Sequence, residues 1–266
     1  MQFSPITEKT IEIVKKSGAV LREGFQTHFA IYSKPGKHNL VTEYDYKSEK
    51  LIIEFIEKHF PEAAIMSEEK GGHFKNLDNE YIFIIDPLDG TVNFAHNIPQ
   101  FAVSIGILKN QQLFAGVVYH PLLEELFVAE VGKGAYFNGR KIEVSKKTLL
   151  SEAILATGFP YNSEVNPLKC IDKFGLFIRL GIPIRRLGSA ALDMCYVACS
   201  RFDAFWETNL GPWDVLGASV IVKEAGGTLL DWKGNPFTLE ESNNTILATN
   251  GKIDPEMVKI LKEGCP

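Results

Sequence analysis

The segment that most limits the fold is a short apolar run, Tyr81-Ile82-Phe83-Ile84-Ile85, which stops abruptly in Asp86-Pro87-Leu88-Asp89-Gly90-Thr91. Such a run reads as a short strand that ends in acidic residues. Pro87 fixes φ and removes a backbone donor, so the strand is expected to end there and the chain to turn. The turn can bring Asp86 and Asp89 to one side and leave the Leu88 carbonyl without a strand partner. Two carboxylates and a carbonyl are hard oxygen ligands, the set Mg²⁺ prefers. Gly90 permits close backbone approach, and Thr91 reads as a helix N-cap that leaves amide N–H groups open to an anion.

The flanking chain supplies helices and further strands. Residues 6–25 carry Ile6, Ile13, Val14, Leu21 and Phe25 at helical spacing. Residues 33–39 are polar and rich in breakers, an exposed loop. Thr42 is placed as the N-cap of a second helix running to about His59, with Ser48, Leu51, Ile52, Phe55 and Ile56 inward. Residues 63–66 and 81–85 are short strands, and residues 102–108, 113–119 and 125–130 an antiparallel meander. Asn138-Gly139 marks a hairpin.

Beyond residue 150 strands and helices alternate, with strands at 153–157, 183–186, 203–206, 229–230 and 246–248. Helices are expected at 167–180, at 189–199, from Pro212 to Gly226-Gly227, and from Pro255. The expected division is into residues 1–150, with most of the acidic motif residues, and 151–266, packed as one unit.

With 266 residues, 45% of them hydrophobic and 23% charged, the chain has ample material for a core. The net charge of −5 argues against nucleic acid or an anionic membrane as the ligand, although cations could make a site locally positive. No run of eighteen apolar residues is present, and the start lacks the pattern of a signal peptide. Cys170, Cys195, Cys199 and Cys265 show no CxxC pairing or zinc-like spacing, and Cys195 and Cys199 are expected on one buried helix face. A reduced, cytoplasmic enzyme is the expectation.

Three acidic groups sit at a strand end or a helix start: Ser67-Glu68-Glu69, Asp86 to Thr91, and Trp213-Asp214. Ligands of α/β sheets bind at such places. Each alone is bland: a turn, a solvated pair, an acid favoured by a helix dipole. Two carboxylates at 4 Å repel by about 4 kcal/mol at an effective dielectric near 20, so convergence of Glu68, Asp86, Asp89 and Asp214 would demand cations between them. The three-residue spacing across Pro87 departs from the D-x-D-G-T of haloacid-dehalogenase phosphatases.

Leu40-Val41-Thr42-Glu43-Tyr44-Asp45, Ser67-Glu68-Glu69 and residues 84–94 resemble the inositol monophosphatases of the lithium-sensitive, metal-dependent phosphatase superfamily. Gly188-Ser189-Ala190-Ala191-Leu192-Asp193-Met194, Trp213-Asp214-Val215-Leu216-Gly217-Ala218 and Glu224-Ala225-Gly226-Gly227 continue the resemblance in the family's order. It implies a layered αβαβα sandwich, usually a homodimer. It implies two to three Mg²⁺ ions on Glu68, Asp86, the Leu88 carbonyl, Asp89 and Asp214, with Glu68 and Thr91 orienting and activating a water. The Gly90 and Thr91 amides would hold phosphate, and Ala190 and Glu207 would contact the hydroxyls of a polyol. Asp45 matches an acidic position near the third metal; Lys34 lies in a loop that closes over the site in relatives but, as a loop lysine, is expected to be solvated and outside the core site.

The function so implied is hydrolysis of a small polyol or sugar monophosphate, with myo-inositol 1-phosphate as the preferred substrate. None of the six histidines falls in these motifs, which fits a metal-activated nucleophile. The alternatives are a bifunctional inositol monophosphatase and fructose-1,6-bisphosphatase, in which Arg185, Arg186 or Lys34 meets a second anionic group, or a relative that also docks in a transcription complex. No membrane or direct nucleic-acid partner is expected.

Overall fold

The computed structural model describes residues 2–34, 39–70, 78–238 and 245–263. Helix α1 (Pro5–Gly24) starts on a proline in its first turn and buries Ile6, Ile13, Val14 and Leu21 along one stripe. Strands β1 (Ile31–Ser33) and β2 (Leu40–Thr42) form a small antiparallel ribbon whose connecting residues 35–38 lie outside the described residues. Helix α2 (Glu43–His59) is capped by Thr42, with Asp45 returning a bond to the Thr42 N–H.

A seven-stranded sheet follows, built from β3 (Ala64–Ser67), β4 (Tyr81–Asp89), β5 (Ala102–Lys109), β6 (Gln112–His120), β7 (Glu125–Glu130), β8 (Gly134–Phe137) and β9 (Arg140–Ile142) in sequence order. Only β3 and β4 pair in parallel. Short helix α3 (Thr91–Ala95) leaves the end of β4. The apolar run on β4 is buried on both faces: Phe83 and Ile85 pack under α1 and α2, whereas Ile82 and Ile84 pack with Leu216 on the opposite side. Pro87 does not end the strand. Pairing with β5 resumes at Asp89 after an irregularity between Asp86 and Asp89, because the bulge absorbs the missing donor and re-aims the side chains.

The second sheet has five strands in the order β11-β10-β12-β14-β13: β10 (Leu155–Thr157), β11 (Ile184–Arg185), β12 (Ala204–Thr208), β13 (Thr228–Leu230) and β14 (Thr245–Thr249). Strands β10, β11 and β12 run parallel, so their C-terminal ends share one edge. Helices α5 (Ala190–Ala198) and α6 (Pro212–Glu224) lie between the sheets, while α4 (Cys170–Arg179) and α7 (Asp254–Glu263) cover the outer face. Along β12, Phe205 turns to the inner core and Ala204 and Trp206 to the outer one, the period-2 signature of a strand between two layers. The result is the expected αβαβα sandwich.

Helix α6 sits unusually near the first sheet. A side chain on Gly116 of β6 would place its Cβ 1.9 Å from the Gly217 carbonyl oxygen, so helix and strand meet backbone to backbone. Cys195 is fully buried and Cys199 half-buried, both as free thiols, and Cys265 falls outside the described residues. No helix among the described residues is long and apolar enough to cross a membrane.

Candidate active site

Three carboxylates from three different elements converge. Glu68 follows β3, Asp86 lies on β4 and Asp214 in the first turn of α6, and each offers an oxygen within 4.8 Å of the other two. Each placement has a local cause. The Glu68 N–H donates to the Ile85 carbonyl at 3.1 Å, extending the β3–β4 pairing past the strand end. Asp86 Oδ1 accepts the Leu88 N–H at 3.0 Å, the Asx-type bond that shapes the bulge. Asp214 Oδ2 accepts the Gly211 N–H at 2.6 Å, which seats the carboxylate at the positive end of α6.

Burial, then the charges of Glu68, Asp89 and Asp214, push the Asp86 carboxyl well above the usual range. Burial, then Glu68 and Asp89, do the same to Asp214. Asp89 stands beside this trio rather than within it. Its Oδ2 accepts the Ser189 hydroxyl at 2.5 Å and the Ala191 N–H at 2.9 Å, tying the first sheet to the start of α5. Burial still raises Asp89, to about 6, against the pull of those donors.

Among the described residues, the cation paired with the cluster is Lys34. Its Nζ reaches Glu68 at 2.9 Å and Glu69 at 2.5 Å from the end of β1. The two ion pairs hold Lys34 above its ordinary value despite burial, and burial still pushes Glu69 up to about 7. One ammonium cannot offset Glu68, Asp86, Asp89 and Asp214 together. The residual negative charge and the all-oxygen donor set fit hard divalent cations.

Thr91 differs from expectation. Gly90, at φ +94°, is the N-cap of α3 and Thr91 is its first helical residue. A Cβ on Gly90 would lie 2.9 Å from the Gln100 carbonyl, so the turn has room only for glycine. Freed from capping, the Thr91 hydroxyl lies 2.8 Å from Asp45 Oδ1 and 3.0 Å from the Leu88 carbonyl. The Leu88 carbonyl is thus not left without a contact; the strand irregularity turns it toward Thr91. Asp45 caps α2 with one oxygen, meets Thr91 with the other, and is raised by burial to about 6.

Glu207, at the C-terminal end of β12, is buried and pushed up to about 8 by burial and then by Asp89. Its carboxylate lies against Gly158, where a Cβ would be 2.0 Å from Oε2. Ala190 opens α5 beside Asp89 and is buried. Sequence reasoning gave no role to Ser189, whose signal was its N-cap position, or to Asp193, an acid inside an apolar helix. Asp193 is buried with Oδ1 lacking a partner, and burial followed by Glu207 and Asp89 raises it well above the usual range. Half-exposed Tyr161 was also missed; its phenol is pushed up to about 12 by desolvation and then by Glu68 and Asp214.

The pattern of the inositol monophosphatase family matches residues 2–264. The chain belongs to that family. An inositol-1-monophosphatase of Synechocystis sp. is 40% identical over 264 residues, covering 97% of this chain and 91% of the relative. A fructose-1,6-bisphosphatase/inositol-1-monophosphatase of Thermotoga maritima is 36% identical, covering 96% of this chain and 94% of its own length. The crystal structure of the extragenic suppressor protein suhB from Bartonella henselae superposes with a TM-score of 0.90 at 34% identity, covering 98% of this chain and 100% of that one. Membership makes the chain a phosphoric monoester hydrolase, of a family that is generally metal-dependent, and Glu68, Asp86 and Asp214 form an acidic cluster.

Proposed function

We propose that the chain hydrolyses the phosphate monoester of a small polyol, with myo-inositol 1-phosphate as the preferred substrate and Mg²⁺ as the cofactor. The observation that carries this reading is the convergence of Glu68, Asp86 and Asp214 within 4.8 Å in a setting that raises Asp86 and Asp214. Glu68, Asp86, the Leu88 carbonyl, Asp89 and Asp214 would hold two to three ions. When bound, such ions would supply Lewis-acid activation of a water and offset charge on the phosphoryl oxygens.

The chain's own groups do the rest. Glu68 accepts a proton from the attacking water, and Thr91, held by Asp45, orients that water toward phosphorus. As N-cap and first helical residue, Gly90 and Thr91 have no intrahelical acceptor for their amides, which are available to phosphate oxygens. Glu207 and Ala190 form the wall that meets the polyol. With Glu207 raised to about 8, its protonated carboxyl both donates and accepts at neutral pH. No phosphoenzyme is needed. Single-turnover hydrolysis in ¹⁸O-water with Mg²⁺ should place one ¹⁸O in the released phosphate, and a trapped phospho-aspartate would overturn the scheme.

The second reading, a bifunctional inositol monophosphatase and fructose-1,6-bisphosphatase, is favoured by the Thermotoga maritima relative that carries both activities in its name. A phosphate-release screen across myo-inositol 1-phosphate, fructose 1,6-bisphosphate and histidinol phosphate separates the two. The reading includes lithium inhibition, a cytoplasmic location and a homodimer. The exposed Val165, Leu168, Ile171 and Ile178 on and before α4 support a covered surface, and sedimentation tests it.

A further inference from the structure

Three cations were candidates to meet a second anionic group on the substrate, and the structure separates them. Lys34 is committed to Glu68 and Glu69. Arg185 turns back on its own strand, its Nη1 donating to the Ile184 carbonyl at 3.2 Å. Arg186 is exposed and pairs with no carboxylate among the described residues; its guanidinium lies over the Phe159 ring, 5.4 Å from the centroid.

Topology fixes what that guanidinium faces. Arg185 is registered with Ala156, which puts Arg186 beside Thr157 at the C-terminal end of β10. Thr157 is registered with Trp206, which puts Gly158 beside Glu207. Glu207, Gly158, Phe159 and Arg186 therefore occupy one edge of three parallel strands. Three residues after Arg186, Ser189 holds Asp89. Three Cα steps keep the Arg186 and Ser189 backbones within about 11 Å of each other, so the guanidinium is carried on the same side of the fold as the residue that holds Asp89. Glu207 feels Arg186 as an opposing charge, so the guanidinium field extends into the wall assigned to the polyol. Phe159 is itself braced edge-on by Phe174 at 5.5 Å, and a guanidinium stacked on a fixed ring is pre-organised for bidentate contact with an oxyanion.

Resting on the active-site reading above, we infer that Arg186, presented on Phe159, is a specificity-determining residue that receives the distal phosphate of a sugar bisphosphate while the proximal phosphate lies at the acidic cluster. The edge formed by Glu207 and Gly158 spans the sugar between them. A polyol monophosphate uses the same cluster and wall but makes no contact with Arg186.

The test is steady-state kinetics of the full chain with Mg²⁺ on fructose 1,6-bisphosphate and on myo-inositol 1-phosphate, for the wild type, Arg186→Gln and Arg186→Lys. Loss of a charge-assisted contact predicts a fall of roughly 10- to 100-fold in kcat/KM for the bisphosphate, carried mainly by KM. The monophosphate should change less than about 2-fold, and Arg186→Lys should recover part of the loss. Sedimentation of each variant checks that its assembly is unchanged. Equal losses on both substrates, or none on the bisphosphate, would overturn the inference. A wild type that cleaves the monophosphate but not the bisphosphate overturns the inference and leaves the proposed function standing; one that cleaves neither overturns both.

Discussion

Asp86→Asn should make the protein more stable without magnesium and less stable with it. Asp86 is 1% exposed and faces Glu68 and Asp214 across no more than 4.8 Å. At an effective dielectric near 20, each such pair repels by about 3.5 kcal/mol when both are ionised. Proton uptake relieves much of this, because Asp86 and Asp214 are raised well above the ordinary carboxylate range. A net gain of roughly 1–3 kcal/mol for the metal-free variant near pH 8 is the expected remainder. For a chain of this size that is a rise in Tm of about 2–10 °C. Asparagine keeps an oxygen for the Leu88 N–H, so the bulge should survive. Saturating Mg²⁺ at about 100 times its Kd adds roughly 2.7 kcal/mol to the wild type, and the variant should forfeit most of it. Thermal unfolding with EDTA and across a Mg²⁺ series should therefore give curves that cross. As pH falls the metal-free gap should close, because the raised acids protonate. Parallel curves, or a metal-free variant less stable than the wild type, would refute the view that the cluster is a repulsive cation site.

Thr91→Val removes the hydroxyl between Asp45 and the Leu88 carbonyl; we expect turnover to fall by about 100-fold or more and stability by about 1–3 kcal/mol, read by phosphate release and urea unfolding. Glu207 is raised from 4.5 to about 8, so its contribution to metal-free stability is complete below about pH 4.5 and is lost as pH rises through 8. Glu207→Gln should flatten that decline, roughly 2–5 kcal/mol in the wild type, in urea titrations between pH 5 and 8.5. Gly116→Ala drives a Cβ into the Gly217 carbonyl and should lower stability by about 1–3 kcal/mol while weakening Mg²⁺ binding through Asp214, measured by calorimetry.

What could be read from the sequence was local. The β4 run and the acids that follow it are legible because a short apolar run and a proline in an acidic turn are properties of adjacent residues. Thr42 as a cap was legible for the same reason, and the structure adds that its partner Asp45 also reaches Thr91. Thr91 was misplaced by one position, since composition alone does not show that Gly90 is left-handed. The links that assemble the site join residues far apart in the chain. Ser189 reaches Asp89 across 100 positions and Lys34 reaches Glu68 across 34. Asp193 was hidden in a different way: an acid in a helix is ordinarily solvated, and Asp193 is buried because α5 is packed between the two sheets.

The contact between Gly116 and Gly217 has a kinetic consequence. Asp214 reaches Glu68 and Asp86 only when α6 is seated on the first sheet, and seating depends on a backbone-to-backbone contact between residues 101 positions apart. Electrostatic opposition among the three acids is therefore greatest once α6 is seated. If that seating follows the folding barrier, a cation that bridges the three acids should slow the opening of the finished molecule far more than it speeds its formation. A bound magnesium ion would in that sense be a clasp, and the lifetime of the native state would then follow how long the clasp stays shut.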